Sequence, residues 1–170
     1  MTNQPIREFF TEDHRRLERI FEKSTQDLSN IDMKLYAEFR VGILTHIKME
    51  EKIFFLAAQK SNQNAPLPLA SQLRLEHGAI TALLVPSPTK EIAIVLKELL
   101  EIHDEKEERT DGMYEASESL TQKETNEILA QLQSVTLVPV HTHNDAPISL
   151  EAAKRALIRA GYKFEELLMD

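Results

Sequence analysis

Six residues constrain this chain more than any other feature: His14, His46, Glu50, His77, His103 and Glu107 write one pattern twice. Each half has a lone histidine, His14 or His77, followed by His-x-x-x-Glu, as His46 to Glu50 or His103 to Glu107. Helical residues four apart lie on one face, one turn above the other, so each His-x-x-x-Glu pair can reach a single point. All six interrupt apolar stripes. Ile6, Phe10, Leu17 and Phe21 flank His14, and Phe39, Ile43, Ile53 and Ala57 flank His46 and Glu50. Leu73, Ile80 and Leu84 share a face with His77, while Ile92, Leu96, Leu99, Leu100 and Tyr114 accompany His103 and Glu107.

The stripes predict helices over about 5–28, 32–60, 69–84 and 89–117. Pro5 suits a first turn, where its missing N–H is not needed. The Asn-, Gln-, Ser- and Pro-rich stretch 61–68 reads as a loop, and Pro86 and Pro88 stop the third helix. Gly112 weakens the fourth late in its course. Thr121-x-x-Glu124 has the form of a capping box opening a fifth helix that carries Ile128, Leu129 and Leu132. An irregular connector over 136–147 precedes a last helix, 150–169, with Ser149 expected as its cap and a bend near Gly161. Four long helices with short connections favour an all-α, antiparallel up-down four-helix bundle over residues 1–117. Residues 118–170 then form a helical extension packed on the bundle or in a homodimer interface.

Bulk properties narrow the function classes. The formal charge of −8 repels phosphate backbones and anionic membranes, so neither nucleic acid nor membrane is an expected partner. The chain has no cysteine, which excludes disulfides and thiolate ligands and leaves only nitrogen and oxygen to hold a metal. Met-Thr-Asn-Gln-Pro leads into an amphipathic stretch, not the apolar run of a signal peptide, and no segment is apolar for long enough to cross a bilayer. A cytoplasmic location is the expectation.

Burying two glutamates and four histidines without partners costs several kcal/mol for each charged group, or forces it neutral. A pair of cations removes that cost, with carboxylates bridging and imidazoles filling other positions. Imidazole with carboxylate suits Fe, Mn, Co and Zn, and the absence of sulfur disfavours Cu(I). Six ligands for two ions leave positions open to water, dioxygen, nitric oxide or peroxide. Ferritin-like di-metal proteins carry Glu-x-x-His instead, with the two residues three apart. Other polar residues read as less informative: Glu51, Glu76, Asp104, Glu105, Glu108 and Asp111 as solvated surface, Tyr36 and Tyr114 as core or boundary tyrosines. His141-x-His143 could share one side of an extended segment, but reads as an exposed polar loop.

The ordered set Asp13-His14, His46-x-x-x-Glu50-Glu51 with Ile53-Phe54-Phe55, Glu76-His77 and His103-x-x-x-Glu107-Glu108 resembles the hemerythrin-like, HHE cation-binding family over about residues 5–115. The resemblance implies a four-helix bundle with a non-haem di-iron centre, oxo- or hydroxo-bridged, with manganese or zinc as alternatives. The implied roles are binding or sensing dioxygen or nitric oxide, or handling iron under oxidative or nitrosative stress. Redox turnover of peroxide or nitric oxide is a second role, and a metal-stabilised interaction module a third. Oxygen-carrying hemerythrins place a second histidine four residues from the one at His77, where this chain has Leu73 and Thr81. Their last carboxylate is an aspartate at the position of Glu108. Four histidines instead of five shift the expectation from oxygen carriage toward redox chemistry, sensing or iron release.

Overall fold

The computed structural model describes residues 3–170, and all regular structure in that range is helical, with no strand. Helix α1 (Pro5–Ser24) opens on proline. Its first free amides, Ile6 N–H and Arg7 N–H, donate to the Glu118 carboxylate at 2.8 and 3.1 Å. A distant carboxylate thus supplies the anionic cap that the positive end of a helix favours. The helix stops at Ser24, short of the expected Leu28. Hydroxyls of Ser24 and Thr25 donate to the Phe21 carbonyl, and Asp27 accepts from Ser29 N–H, local bonds that compete with continued helix.

Helix α2 (Met33–Met49) is capped by Asp32, whose carboxylate accepts from Lys34 and Leu35 N–H at 3.0 Å. Such a cap contributes about 1 kcal/mol. The same rod continues through a π-helical turn, Glu50–Phe54, into α3 (Phe55–Ser61), with Phe55 N–H bonded to the Glu50 carbonyl five residues back. Periodicity predicts the rod but not this wider turn, a form common at functional sites.

Helix α4 (Ala70–Leu83) and α5 (Lys90–Glu108, capped by Thr89) follow. The expected continuous helix over 89–117 is broken after Glu108. The chain turns through Asp111, at φ 60°, and restarts as α6 (Met113–Leu120). Gly112 makes the break possible: a Cβ there would lie 2.7 Å from the carbonyl oxygens of Arg109 and Lys106 and 2.9 Å from that of Glu107.

The expected capping box at Thr121 does not form. The Thr121 hydroxyl donates back to Ser117 O at 2.9 Å, the Glu124 carboxylate accepts from Ser61, and a 3-10 turn (Gln122–Glu124) precedes α7 (Thr125–Gln133). Ser149 is not a cap either. Pro147 takes the first position of α8 (Pro147–Ala160), leaving Ser149 buried inside the first turn. Gly161, left-handed at φ 94°, ends α8 instead of bending it, and α9 (Phe164–Met169) follows.

Helix α8 packs on α4 and α9 on α5. Their Leu157 and Phe164 share one apolar core with Leu17, Phe39, Leu83 and Leu96. A second core gathers Ile6, Phe10, Met49, Phe54, Tyr114 and Ile128. His14 lies between Phe10 of one core and Leu17 of the other, and His46 between Ile43 and Met49, so a polar layer separates the two. Among the described residues no helix is long and apolar enough to cross a membrane.

Candidate metal centre

All six residues singled out by the spacing meet in that layer. His14 comes from α1, His46 from α2, Glu50 from the π turn, His77 from α4, and His103 and Glu107 from α5. Each is buried, Glu50 and Glu107 completely. They form two groups, His14–His46–Glu50–Glu107 and Glu50–His77–His103–Glu107, each offering ligand atoms within 4.8 Å of one another. The imidazoles pair accordingly, with ring centres 4.5 Å apart for His14 and His46 and 4.7 Å for His77 and His103.

The two carboxylates belong to both groups, and each divides its oxygens between them. Glu50 Oε1 lies 3.1 Å from His46 Nε2, and Oε2 lies 3.1 Å from His77 Nε2. Glu107 Oε2 lies 3.3 Å from His14 Nε2, and Oε1 lies 3.1 Å from His103 Nε2. Glu50 Oε2, Glu107 Oε1 and His77 Nε2 are buried and, despite this proximity, lack the alignment of a hydrogen bond. Buried polar atoms are normally satisfied. A cation among these atoms would satisfy them, so the donor set fits a metal ion.

The outer nitrogens are fixed just as consistently. Nδ1 of His14 lies 2.5 Å from Glu108, that of His46 2.8 Å from Asp13, that of His77 2.9 Å from Glu51, and that of His103 2.8 Å from Glu76. An ionised carboxylate only accepts, so each Nδ1 carries the proton and donates it. Each Nε2 is thereby turned inward and left free to donate to a metal, as in the usual supporting arrangement of a metal-binding histidine.

These four carboxylates correct the reading of Glu51, Glu76 and Glu108 as surface. Each clamp, Asp13 included, is the sequence neighbour of one of the six candidate ligands. Adjacent helical side chains diverge by about 100°, and that divergence carries each carboxylate to the imidazole of a neighbouring helix. Asp104 is also largely withdrawn from solvent, with Oδ1 3.6 Å from His14 Nε2. Glu105 and Asp111 stay exposed as expected. Glu76, fully buried, additionally accepts from Gln72, Lys106 and the Tyr162 hydroxyl at 2.9, 2.7 and 2.6 Å. Tyr162, just past Gly161, brings the C-terminal extension within one residue of His103, with no signal in its local sequence.

Tyr114 is the other donor that the sequence underrates. Its hydroxyl is bonded to Glu50 and lies 2.9 Å from Glu107 Oε2, 3.0 Å from His14 Nε2 and 3.3 Å from His46 Nε2. Its ring stacks on Phe10 at 5.2 Å, and Phe10 stacks on Phe54 at 5.3 Å, closing that end of the centre with aromatic surface. The remaining candidates stay apart. Tyr36 packs against Phe39, and His143 faces Arg40 at 3.3 Å while His141 is exposed. A cleft of about 170 Å³, walled by Leu17, Phe21, Phe39, Ile43 and Leu100, reaches His14 and Asp104. A smaller one of about 40 Å³ reaches His77 beside Glu51 and Met113.

In comparisons with protein-family models, curated proteins and solved structures, the chain matches none.

The electrostatics follow from the carboxylates around each imidazole, the inward Glu50 and Glu107 and Asp104 ahead of the outer clamps. Burial alone would depress His103, but Glu107 and Glu76 outweigh it and raise the imidazole to about 9. His14 and His77 rise well above the ordinary value in the same way, burial again opposing their carboxylates. Burial pushes Glu76 up, yet the bonds from His103, Lys106, Tyr162 and Gln72 prevail and hold it at about 2. Asp104 is raised to about 6, by burial above all.

A pH dependence follows for protein stripped of metal by a chelator. A histidine whose folded value lies above its ordinary 6.5 contributes its full stability below that pH and loses it as pH rises through the folded value. Thermal denaturation of the stripped protein should therefore show Tm falling between about pH 6.5 and 9. A cation bound among these imidazoles would hold them neutral, and the dependence should then be weaker.

Proposed function

We propose that this chain is a hemerythrin-like, antiparallel four-helix bundle, built from α1, the α2–α3 rod, α4 and α5, that holds two iron ions. The observation that carries this reading is the division of the Glu50 and Glu107 oxygens between two histidine pairs. Two carboxylates each facing two imidazole pairs have no simple packing rationale, whereas two cations at that level use every buried donor. His14 and His46 would hold one ion, His77 and His103 the other, with Glu50 and Glu107 shared. Nitrogen and oxygen donors without sulfur suit iron, with manganese and zinc as the competing ions.

Iron in this setting supplies redox change and open coordination positions. The protein's part is to fix the imidazoles through Asp13, Glu51, Glu76 and Glu108, wall one end with Phe10, Phe54 and Tyr114, and admit a small ligand through the clefts at His14 and His77. The role that fits is binding or sensing dioxygen or nitric oxide, or handling iron under oxidative or nitrosative stress, in the cytoplasm. Iron-loaded protein is expected to show near-ultraviolet charge-transfer bands that change on adding oxygen, azide or nitric oxide. Bands indifferent to all three would reject ligand binding and leave metal storage or a structural ion.

His77→Ala removes a donor from one group only. The variant is expected to retain its helicity and bind one metal ion fewer than the parent, measured by metal analysis after desalting. Unchanged stoichiometry would remove His77 from the ligand set.

A further inference from the structure

The two halves of the centre differ in one respect that the repeated sequence pattern hides. On the His77–His103 side, Glu50 Oε2, Glu107 Oε1 and His77 Nε2 face one another without hydrogen-bond partners, with His103 Nε2 3.1 Å from Glu107 Oε1. On the His14–His46 side, one oxygen touches all four donors, the Tyr114 hydroxyl. A phenol has a single proton to donate. Two carboxylate oxygens and two inward imidazole nitrogens surround it, so that proton serves one carboxylate and leaves the other without it. The phenol oxygen thus lies within 3.3 Å of four ligand atoms that are themselves within 4.8 Å of one another, five oxygen and nitrogen atoms gathered closely enough for one cation to hold them all.

We propose that Tyr114 is a fifth protein ligand, through its phenol oxygen, to the metal ion held by His14, His46, Glu50 and Glu107. The assignment rests on the two-ion reading above and refines it. On binding, the O–H bond is exchanged for a metal–oxygen bond and the proton leaves to solvent, with no change in electron count. A buried cation makes this favourable because its charge reverses the local preference for the neutral phenol.

The fold places Tyr114 for this role. Seven residues beyond Glu107 in an unbroken helix, it would lie about 10.5 Å further along the axis. The break at Asp111–Gly112 folds α6 back, and stacking on Phe10 fixes the ring. A hard, anionic phenolate favours a ferric ion over zinc or a soft metal. One ion would then carry five protein donors and the other four, so the two would differ in potential and in room for an outside ligand.

The test uses the full chain loaded anaerobically with Fe(II) and then oxidised. The expected result is a visible phenolate-to-iron(III) band whose resonance Raman spectrum carries tyrosinate ring modes, with loss of both in Tyr114→Phe at unchanged iron content. The chain has three tyrosines. Tyr162 is bonded to Glu76 and Lys106, and Tyr36 packs away from the centre, so parent protein alone decides the question if the variant fails to load or fold. Two bound irons without tyrosinate modes, or a band that persists in Tyr114→Phe, overturns the ligand assignment and leaves the two-ion reading standing. No bound iron overturns both.

Discussion

Glu107→Gln is expected to abolish binding of both metal ions, not one. Glu107 turns one oxygen to His14 and the other to His103, so it serves both histidine pairs, whereas each histidine serves one. The amide keeps the shape but loses the charge that would offset two cations at full burial. Affinity at both positions should fall by more than about 100-fold, beyond the roughly 10–100-fold that follows loss of an outer hydrogen-bond partner. The variant should still fold. In the parent, burial tends to raise the Glu107 carboxyl, but His103, His14 and His77 hold it well below the usual carboxylate range. Without it His46 and His77 still face Glu50 while the other two imidazoles can shed protons, so no buried charge is left without a partner. Metal analysis with far-ultraviolet circular dichroism checks both halves of the prediction. Glu108→Gln makes the contrast, since it clamps only His14, and should weaken one ion within that smaller range. Retention of both ions in Glu107→Gln would reject the bridging role.

Gly112→Val has the second large effect, on the fold as well as the site. A Cβ at this position meets three backbone carbonyl oxygens at 2.7, 2.7 and 2.9 Å, and backbone does not yield as a side-chain tip does. Gly42 shows the difference, because its Cβ would meet the end of the Leu17 side chain, which can turn aside. Overpacking of this kind costs roughly 1–3 kcal/mol, which for a chain of this size lowers Tm by on the order of 5 °C. Relief requires opening the α5–α6 junction, and that withdraws Tyr114 from Glu50 and Glu107. Thermal denaturation should show the loss of stability, and the tyrosinate signal should weaken with it. A fully stable variant would mean that the break does not depend on glycine.

The sequence made some of this legible and hid the rest for identifiable reasons. Four-residue spacing on apolar stripes is a helical signal, so the rods and the six inward donors could be read directly. The carboxylates Glu51, Glu76 and Glu108 could not be assigned that way. Each sits beside a candidate ligand, and a single-helix view turns it outward, while the neighbouring helix that receives it is a tertiary fact. The sequence does carry a signal for them, an acidic residue adjacent to a candidate ligand in Asp13-His14, Glu50-Glu51, Glu76-His77 and Glu107-Glu108. Gly112 marked a weak place in the fourth helix, but not that the chain would fold back and carry Tyr114 into the centre. Tyr162 had no local signal at all. It reaches Glu76 because α8 packs on α4 and Gly161 turns the chain there. Thr121 and Ser149 fit capping patterns, yet the Thr121 hydroxyl bonds back to Ser117 and Pro147 starts α8 before Ser149.

The most direct test of the account is an anaerobic titration of metal-free protein with Fe(II), read by bound iron per chain and by proton release. The six buried donors and their clamps predict saturation at two irons, with protons released as imidazolium and phenol positions pass to metal. Protein that keeps its helical fold and takes up no iron, or saturates at one, would contradict the paired centre.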